Sequence, residues 1–148
     1  MNIFESLRKD HDLQRKLIDQ LSKTSGDSKV REKIFSQLKL ELSRHAKCEE
    51  RFFYNPLIKH DQTQELSRHS IAEHKEIDDY LEILENTNFD SPAWLKTLKN
   101  LKHRLLHHLD EEEHEFFQQA GKVLNNNQKE NLAEKYENLM IQSSTEVS

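Results

Sequence analysis

The sequence contains very few of the residues that interrupt helices or cross-link a fold. Its 148 residues include only 2 glycines, 2 prolines and 1 cysteine. Because turn-forming residues are scarce and Leu, Lys and Glu are abundant, the composition favours long helices over many short strands. The single cysteine, Cys48, excludes an internal disulfide and is typical of a protein from the reducing cytoplasm.

A surplus of positive charge is also missing, since 22 Lys and Arg residues stand against 27 Asp and Glu residues and the net charge is -5. Nucleic acid is therefore not expected as a partner, because phosphates bind basic surfaces. No apolar run approaches the roughly 20 residues of a membrane span, and the first residues contain no apolar signal core. We expect a cytoplasmic protein without membrane or nucleic-acid partners, either a monomer or a weak homodimer.

Histidine, in contrast, occurs 9 times, which is more than a chain of this size usually carries. This excess is the first compositional indication of a metal-binding protein. The length fits one domain, residues 1–148, with a hydrophobic core of its own. From about residue 138 the chain becomes polar, which predicts a frayed tail.

Hydrophobic periodicity and capping residues predict an all-α fold with five helices. The four long helices cover about Ile3–Lys23, Lys29–His60, Gln62–Asn86 and Ser91–Ala120. Pro56 is expected to kink or shorten the second helix, and Gly121 to end the fourth. A short fifth helix follows, capped by Asn127 with Glu130 as its capping-box partner. Short links between long helices predict an antiparallel up-down four-helix bundle.

On each long helix, residues three and four apart form the face that turns toward the bundle axis, and polar residues interrupt that face. The first and third helices each place one histidine there. The second and fourth helices each place a histidine and, one turn later, a glutamate. These inward-facing residues are His11, His45, Glu49, His74, His108 and Glu112.

The segment HHLDEEEHEFF, His107–Phe117, illustrates the assignment. Adjacent residues on a helix point about 100° apart, so His107 and His108 cannot face the same way. His108 continues the leucine face of its helix, whereas His107 shares a polar face with other charged residues. His108 and Glu112 are therefore predicted to point inward.

Two inward glutamates beside four histidines make an unfavourable hydrophobic core, because a buried ionised carboxylate must be paired or bound to metal. They make a suitable cage for two metal ions, with terminal imidazoles and bridging carboxylates. Mixed nitrogen and oxygen ligands suit iron, with manganese or zinc as alternatives. A lone inward histidine is more often a hydrogen-bonded core residue, but four at one level are difficult to obtain by chance.

At these residues the chain resembles the hemerythrin-like family, also called HHE cation-binding domains. The matching segments are, in order, KDHDLQRKLI, HAKCEERFFYNP, AEHKEI and HHLDEEEHEFF. The resemblance extends from about Phe4 to Tyr136 and implies a four-helix bundle around a non-haem di-iron centre, bridged by oxide or hydroxide. It assigns the same six ligands. It also adds Glu73, which matches an acid near the metal in some relatives and is either a gating or proton-shuttling residue or a solvated helix acid.

Two departures separate this chain from the oxygen-carrying hemerythrins. Ser70 stands where the third helix of those proteins has a fifth histidine. The fourth helix carries an H-x3-E pair instead of H-x4-D, which leaves Glu113 as a second candidate for the role of Glu112. These differences argue against reversible oxygen carriage. The set of four histidines and two glutamates is more similar to relatives tied to nitric-oxide stress, iron–sulfur repair or iron sensing.

Several neighbours of the six residues have candidate roles. Two pairs of aromatic residues flank the glutamates: Phe52, Phe53, Phe116 and Phe117. They either wall a dry ligand pocket or pack as ordinary core. Asp10 or Asp12 is a candidate hydrogen-bond acceptor for a ligand imidazole.

We therefore expect a non-haem di-iron protein that binds O2, NO or a related small species for sensing, storage or detoxification. One alternative is a di-iron enzyme that dismutates peroxide or reduces NO. Another is an iron sensor or store whose fold depends on metal occupancy. The last is a metal-free helical adaptor.

Overall fold

Five helices of 20 to 22 residues make up most of the protein in the computed structural model, which describes residues 1–147 and side chains up to residue 143. They are α1 (Ile3–Ser22), α2 (Lys29–Glu49), α3 (Gln64–Glu85), α4 (Pro92–Glu111) and α5 (Asn126–Val147). The described residues form no strand. The predicted all-α bundle with an added fifth helix is therefore confirmed. Within the described part of the chain, no helix is both long and apolar enough to cross a membrane.

Both α2 and α4 continue past their last α-helical residue through a π-helical turn. In α2 this turn is Glu50–Tyr54, followed by the short α-helical segment Asn55–Leu57. In α4 it is Glu112–Phe116, followed by Phe117–Val123. A π-helical turn contains one residue more than an α-helical turn and is frequent at functional sites. Each turn therefore changes the direction in which the following side chains point.

Several helix boundaries differ from those that the sequence indicated. The second helix ends at Leu57 rather than His60, with Pro56 in its last turn. Gly121 does not end the fourth helix, which continues to Val123. The cap of α5 is Asn125, whose backbone and side chain exchange hydrogen bonds of 2.8 Å with Gln128, and not Asn127 with Glu130. The fourth helix is capped by Ser91, whose side chain accepts a hydrogen bond from the backbone N–H of Trp94.

The fifth helix is longer than expected, with 22 residues from Asn126 to Val147. It packs against α1 and α2, and it buries Ala133, Tyr136, Met140 and Ser143. Residues 138–147 therefore continue the helix and do not form the frayed tail that their polarity suggested. Ser148, the last residue of that predicted tail, lies outside the described residues.

The hydrophobic interior consists of two separate cores, one toward each end of the bundle. The first core combines the second half of α1, the first half of α2, the second half of α3 and most of α4. The second core combines the first residues of α1, the continuations of α2 and α4, and α5. Between the two cores lies a layer of buried polar side chains that includes all six predicted inward-facing residues.

Arg31 fastens the loops at the end of the bundle next to the first core. Its guanidinium is buried and donates to Thr24 Oγ1 at 2.9 Å, to the Thr24 carbonyl at 2.7 Å and to the Phe89 carbonyl at 2.5 Å. The same group lies over the Trp94 ring, 4.6 Å from its centroid. One side chain thus joins the α1–α2 loop to the α3–α4 loop.

We expect Arg31→Met to lower the free energy of unfolding by about 2–4 kcal/mol, because buried acceptors lose their charged donor. Urea unfolding measures this change. Arg68→Met is the control, since Arg68 is exposed on α3 and its replacement should change stability by less than about 0.5 kcal/mol. Equal stability of the two variants would contradict the fastening role.

Candidate metal centre

The structure brings the six predicted residues into one layer between the two hydrophobic cores. The four histidines come from four different helices, α1 to α4, and the two glutamates lie where α2 and α4 change to π-helical geometry. None of the six exposes more than 6% of its surface. His107, in contrast, has a side chain that is 53% exposed, as its polar helix face predicted.

Glu49 is the acid that reaches most of the histidines. Its Oε1 lies 3.2 Å from Nε2 of both His45 and His74, and its Oε2 lies 3.9 Å from Nε2 of His11. The carboxylate therefore stands between histidines of three helices. A carboxylate in this position could be shared by two metal ions.

Glu112 stands opposite and has a comparable position. Its Oε1 lies 3.2 Å from His11 Nε2, and its Oε2 lies 3.5 Å from His108 Nε2. The neighbouring acid Glu113 points away and binds the outer side of His11 instead. Of the two candidates on the fourth helix, Glu112 is the one that faces the centre.

The donor atoms form two groups that share one carboxylate. One group is His11, His45, Glu49 and Glu112, and the other is Glu49, His74 and His108. Within each group the donor atoms all lie within 4.8 Å of one another. Metal bonds of about 2.0–2.1 Å at tetrahedral angles place ligand atoms about 3.3 Å apart, which is close to the separations seen here.

Several of these donor atoms have no hydrogen-bond partner although they are buried. They are Nε2 of His11, His45 and His108, Oε2 of Glu49 and Oε1 of Glu112. An unpaired buried polar atom costs about 1–3 kcal/mol, so five at one place are strongly unfavourable unless a ligand satisfies them. The residues present therefore fit metal ions, with which all five atoms can bond.

On the outer side, carboxylates hold two of the histidines through Nδ1. Glu113 Oε2 lies 2.7 Å from His11 Nδ1, and Glu73 Oε1 lies 2.7 Å from His108 Nδ1. Such contacts keep the proton on Nδ1, turn the Nε2 lone pair inward and orient the ring, as in most protein metal sites. Arg15 in turn binds both oxygens of Glu113, at 3.0 and 3.1 Å.

The other two histidines have different outer partners. His45 Nδ1 lies 2.5 Å from the Tyr136 hydroxyl, which itself donates to Asp10. Asp10 adjoins His11 in the sequence, but through the Tyr136 hydroxyl it helps to orient His45 of the second helix. His74 has the weakest support, since Glu50 Oε2 is 3.5 Å from its Nδ1. Tyr136 was not predicted, because the fifth helix was expected to be a short addition to the bundle and its residues were not considered as part of the centre.

Tyr54 is a second residue that the sequence did not indicate. Its hydroxyl lies 2.7 Å from Glu49 Oε1 and 3.2 Å from His74 Nε2, and it also contacts Glu112. It follows Glu49 by five residues, a spacing that faces away from the axis in a regular α-helix but faces inward across a π-helical turn. Pro56 was the one available signal, because proline disturbs the preceding helical turn.

A π-helical turn has the same effect in α4. Phe117 follows Glu112 by five residues, and its ring stacks on His11 with centroids 6.0 Å apart and planes at 17°. Phe53, Phe116 and Phe117 are buried in the second core, whereas Phe52 is only partly buried. Three of the four flanking aromatic residues thus close the centre on that side.

The pKa values show that the centre has a strongly negative field. Burial lowers the pKa of His45, but the charge of Glu49 and a hydrogen bond to Asp10 outweigh it and raise the value to about 10. The pKa of His74 is raised to about 9, as hydrogen bonds to Glu49 and Glu50 outweigh burial. Burial and the charge of Glu49 raise the pKa of Glu112. The buried carboxylates of Glu49 and Glu112 are therefore stabilised by nearby positive charge, which protons on the histidines or metal ions can supply.

The comparisons with known proteins agree with this geometry. The family model of the Hemerythrin HHE cation binding domain matches residues 2–120. The chain belongs to this family. The hemerythrin-like fold is also found in the crystal structure of a hemerythrin HHE cation binding domain-containing protein from Mycobacterium kansasii. The two sequences are 27% identical. The superposition covers 97% of this chain and 87% of the mycobacterial chain, with a TM-score of 0.87. No match was found among the curated proteins.

For this hemerythrin-like domain we expect Glu49→Gln to lose most of its bound metal, because both donor groups need the Glu49 carboxylate. Metal content of the purified variant, measured by mass spectrometry, tests this. The matched control is Glu115→Gln, which removes an exposed acid from the other π-helical segment and should keep the metal. Similar metal content in the two variants would show that Glu49 is not a ligand.

Proposed function

We propose that this protein binds two non-haem iron ions and uses them to take up O2, NO or another species of similar size. The observation that carries the proposal is the convergence of unpaired buried donor atoms on two groups that share Glu49. The first ion would be held by His11, His45, Glu49 and Glu112 and the second by Glu49, His74 and His108. Tyr54 and the second oxygen of Glu112 are close enough to complete the second set.

The types of donor atoms support iron. Four imidazole nitrogens and two carboxylates form the set, and no thiolate takes part, because Cys48 is buried in the second core. This mixture is typical of iron sites, and manganese or zinc is compatible with it. A bound iron pair supplies open coordination positions and a change of oxidation state.

The space beside the centre supports a very small ligand. A cavity of about 10 Å³ lies on the side of the first core, bordered by His45, His74 and His108 together with Leu42 and Leu105. This is close to the minimum volume that holds one water molecule. The aromatic residues lie on the opposite side, and the cavity is lined by three imidazoles, Gln14 and Asp78 together with aliphatic side chains. Its small volume favours a molecule of a few atoms over a large substrate.

Tyr54 supports chemistry that needs a proton. Burial, together with the charges of Glu112 and Glu49, raises the pKa of its hydroxyl well above the usual value. The hydroxyl therefore keeps its proton at neutral pH and stays available as a donor in the centre. This favours, as a second candidate function, an enzyme that acts on peroxide or NO. If the site only binds the small species, its uses are sensing, storage or detoxification.

The decisive experiment combines metal analysis of protein purified without added metal with its optical spectrum under air and after addition of NO. We expect about two iron ions per chain and near-ultraviolet and visible absorption that changes with NO. Release of O2 from added peroxide would select the enzyme over the binding protein. A colourless protein without iron, whose thermal stability does not respond to added iron, would refute the proposal.

We expect Leu42→Ala to accelerate the association of NO with the iron-loaded protein, because Leu42 borders the small cavity. The control is Leu38→Ala, one turn earlier on α2, which removes the same atoms from the first core away from the cavity. Each variant should lose about 2–5 kcal/mol of stability. Stopped-flow absorption measures the association rates, and equal rates in the two variants would exclude entry through this cavity.

A further inference from the structure

Outside the bundle, a second group of metal-ligating side chains lies against the candidate centre. His69 Nε2, on the outer face of α3, is 3.0 Å from Glu111 Oε1 and 3.4 Å from Glu73 Oε2. The three donor atoms all lie within 4.8 Å of one another. The His69 side chain is 52% exposed and that of Glu111 is 23% exposed, whereas that of Glu73 is only 4% exposed, so water and dissolved ions reach this group from the side of His69.

We propose that His69, Glu73 and Glu111 form an exterior binding site for a divalent transition-metal ion. The donor separations of 3.0 and 3.4 Å are close to the value of about 3.3 Å that bonds of 2.0–2.1 Å at tetrahedral angles require. One imidazole and two carboxylates form a three-ligand set that leaves further positions for water. The simpler explanation is a protonated His69 paired with two acids, which gives similar distances but binds no metal.

The surroundings favour a cation at this position. The other oxygen of Glu111, Oε2, is 3.5 Å from His107 Nδ1, which helps to orient the carboxylate. An open groove along the outer face of α4 continues from the site, and apart from Leu106 all its lining residues are histidines or acids. These residues are His103, His107, Asp110, Glu111, His114 and Glu115. The three histidines of this groove are all the histidines of the fourth helix and its continuation except His108, which faces the interior centre.

Glu73 connects the exterior group to the interior. Its Oε1 is 2.7 Å from Nδ1 of the ligand His108, while its Oε2 faces His69. One carboxylate therefore lies between the two sets of donors. An ion bound at the exterior site would lie next to the interior centre. The site could therefore supply metal ions to that centre, an inference that rests on the function proposed above.

Arg104 opposes the exterior ion and provides a distinctive test. Its Nη1 is 3.2 Å from Glu73 Oε2, and its Nε is 3.1 Å from Glu76. A guanidinium at this distance competes for the carboxylate and repels a cation. Removing its charge should therefore strengthen metal binding, although the same change would weaken a cluster held together by ion pairs alone.

The test is equilibrium dialysis of the purified full-length protein against Zn²⁺, with the interior metal counted separately. We expect one additional zinc ion per chain, at least about tenfold weaker binding in His69→Ala and Glu111→Gln, and tighter binding in Arg104→Gln. The matched control is His114→Ala, an exposed histidine of the same groove, which should bind zinc like the unchanged protein. No additional zinc, or equal binding by His69→Ala and His114→Ala, would overturn the proposal.

A second measurement separates this inference from the proposed function. Metal-free protein is mixed with Fe²⁺, and the time course of iron uptake is followed. We expect slower uptake by His69→Ala than by His114→Ala, with the same final content in both. Identical time courses would exclude the loading role. A chain that takes up no interior iron but still binds the exterior zinc would refute the function and retain the exterior site.

Discussion

The arrangement of the whole molecule depends on two carboxylates, Glu49 and Glu112, that are buried between two hydrophobic cores. Neither core could extend through this layer without enclosing unpaired charge, which is far more unfavourable than the loss of a few apolar contacts. Imidazoles from four helices surround the two carboxylates. Because each of these four helices contributes to the same small volume, their packing brings the donor atoms of the centre together. The apolar cores on either side keep water out and strengthen every electrostatic interaction in the layer.

The histidines are held from behind by residues of other helices. Glu113 of the fourth helix holds His11 of the first, Glu73 of the third holds His108 of the fourth, and Tyr136 of the fifth holds His45. Each of these contacts joins two different helices. The orientation of each of these three imidazoles therefore depends on the position of a neighbouring helix. A displacement of one helix would therefore rotate a ligand that belongs to another.

The helical fold and the six inward-facing residues could be predicted from the sequence because both follow from one regularity, the 3.6-residue period of the α-helix. The same regularity explains what was missed. Tyr54 reaches the centre through a π-helical turn, where the period changes, and the sequence of α4 contains no signal of its own π-helical turn. Tyr136 lies on the fifth helix, which the sequence indicated only as a short element outside the four-helix bundle. The helix face already favoured Glu112 over Glu113, and the alternative came only from the H-x4-D spacing of the oxygen-carrying hemerythrins.

The family match ends at residue 120, whereas Tyr136 lies in the helix beyond it. One hydrogen bond to a proposed ligand thus comes from a part of the chain that the shared domain does not define. Without the fifth helix, the His45 imidazole would lose the Tyr136 hydroxyl and would keep only its 3.4 Å contact to Asp10. The fifth helix therefore orients one of the candidate ligands, although it lies beyond the residues that the family model matches.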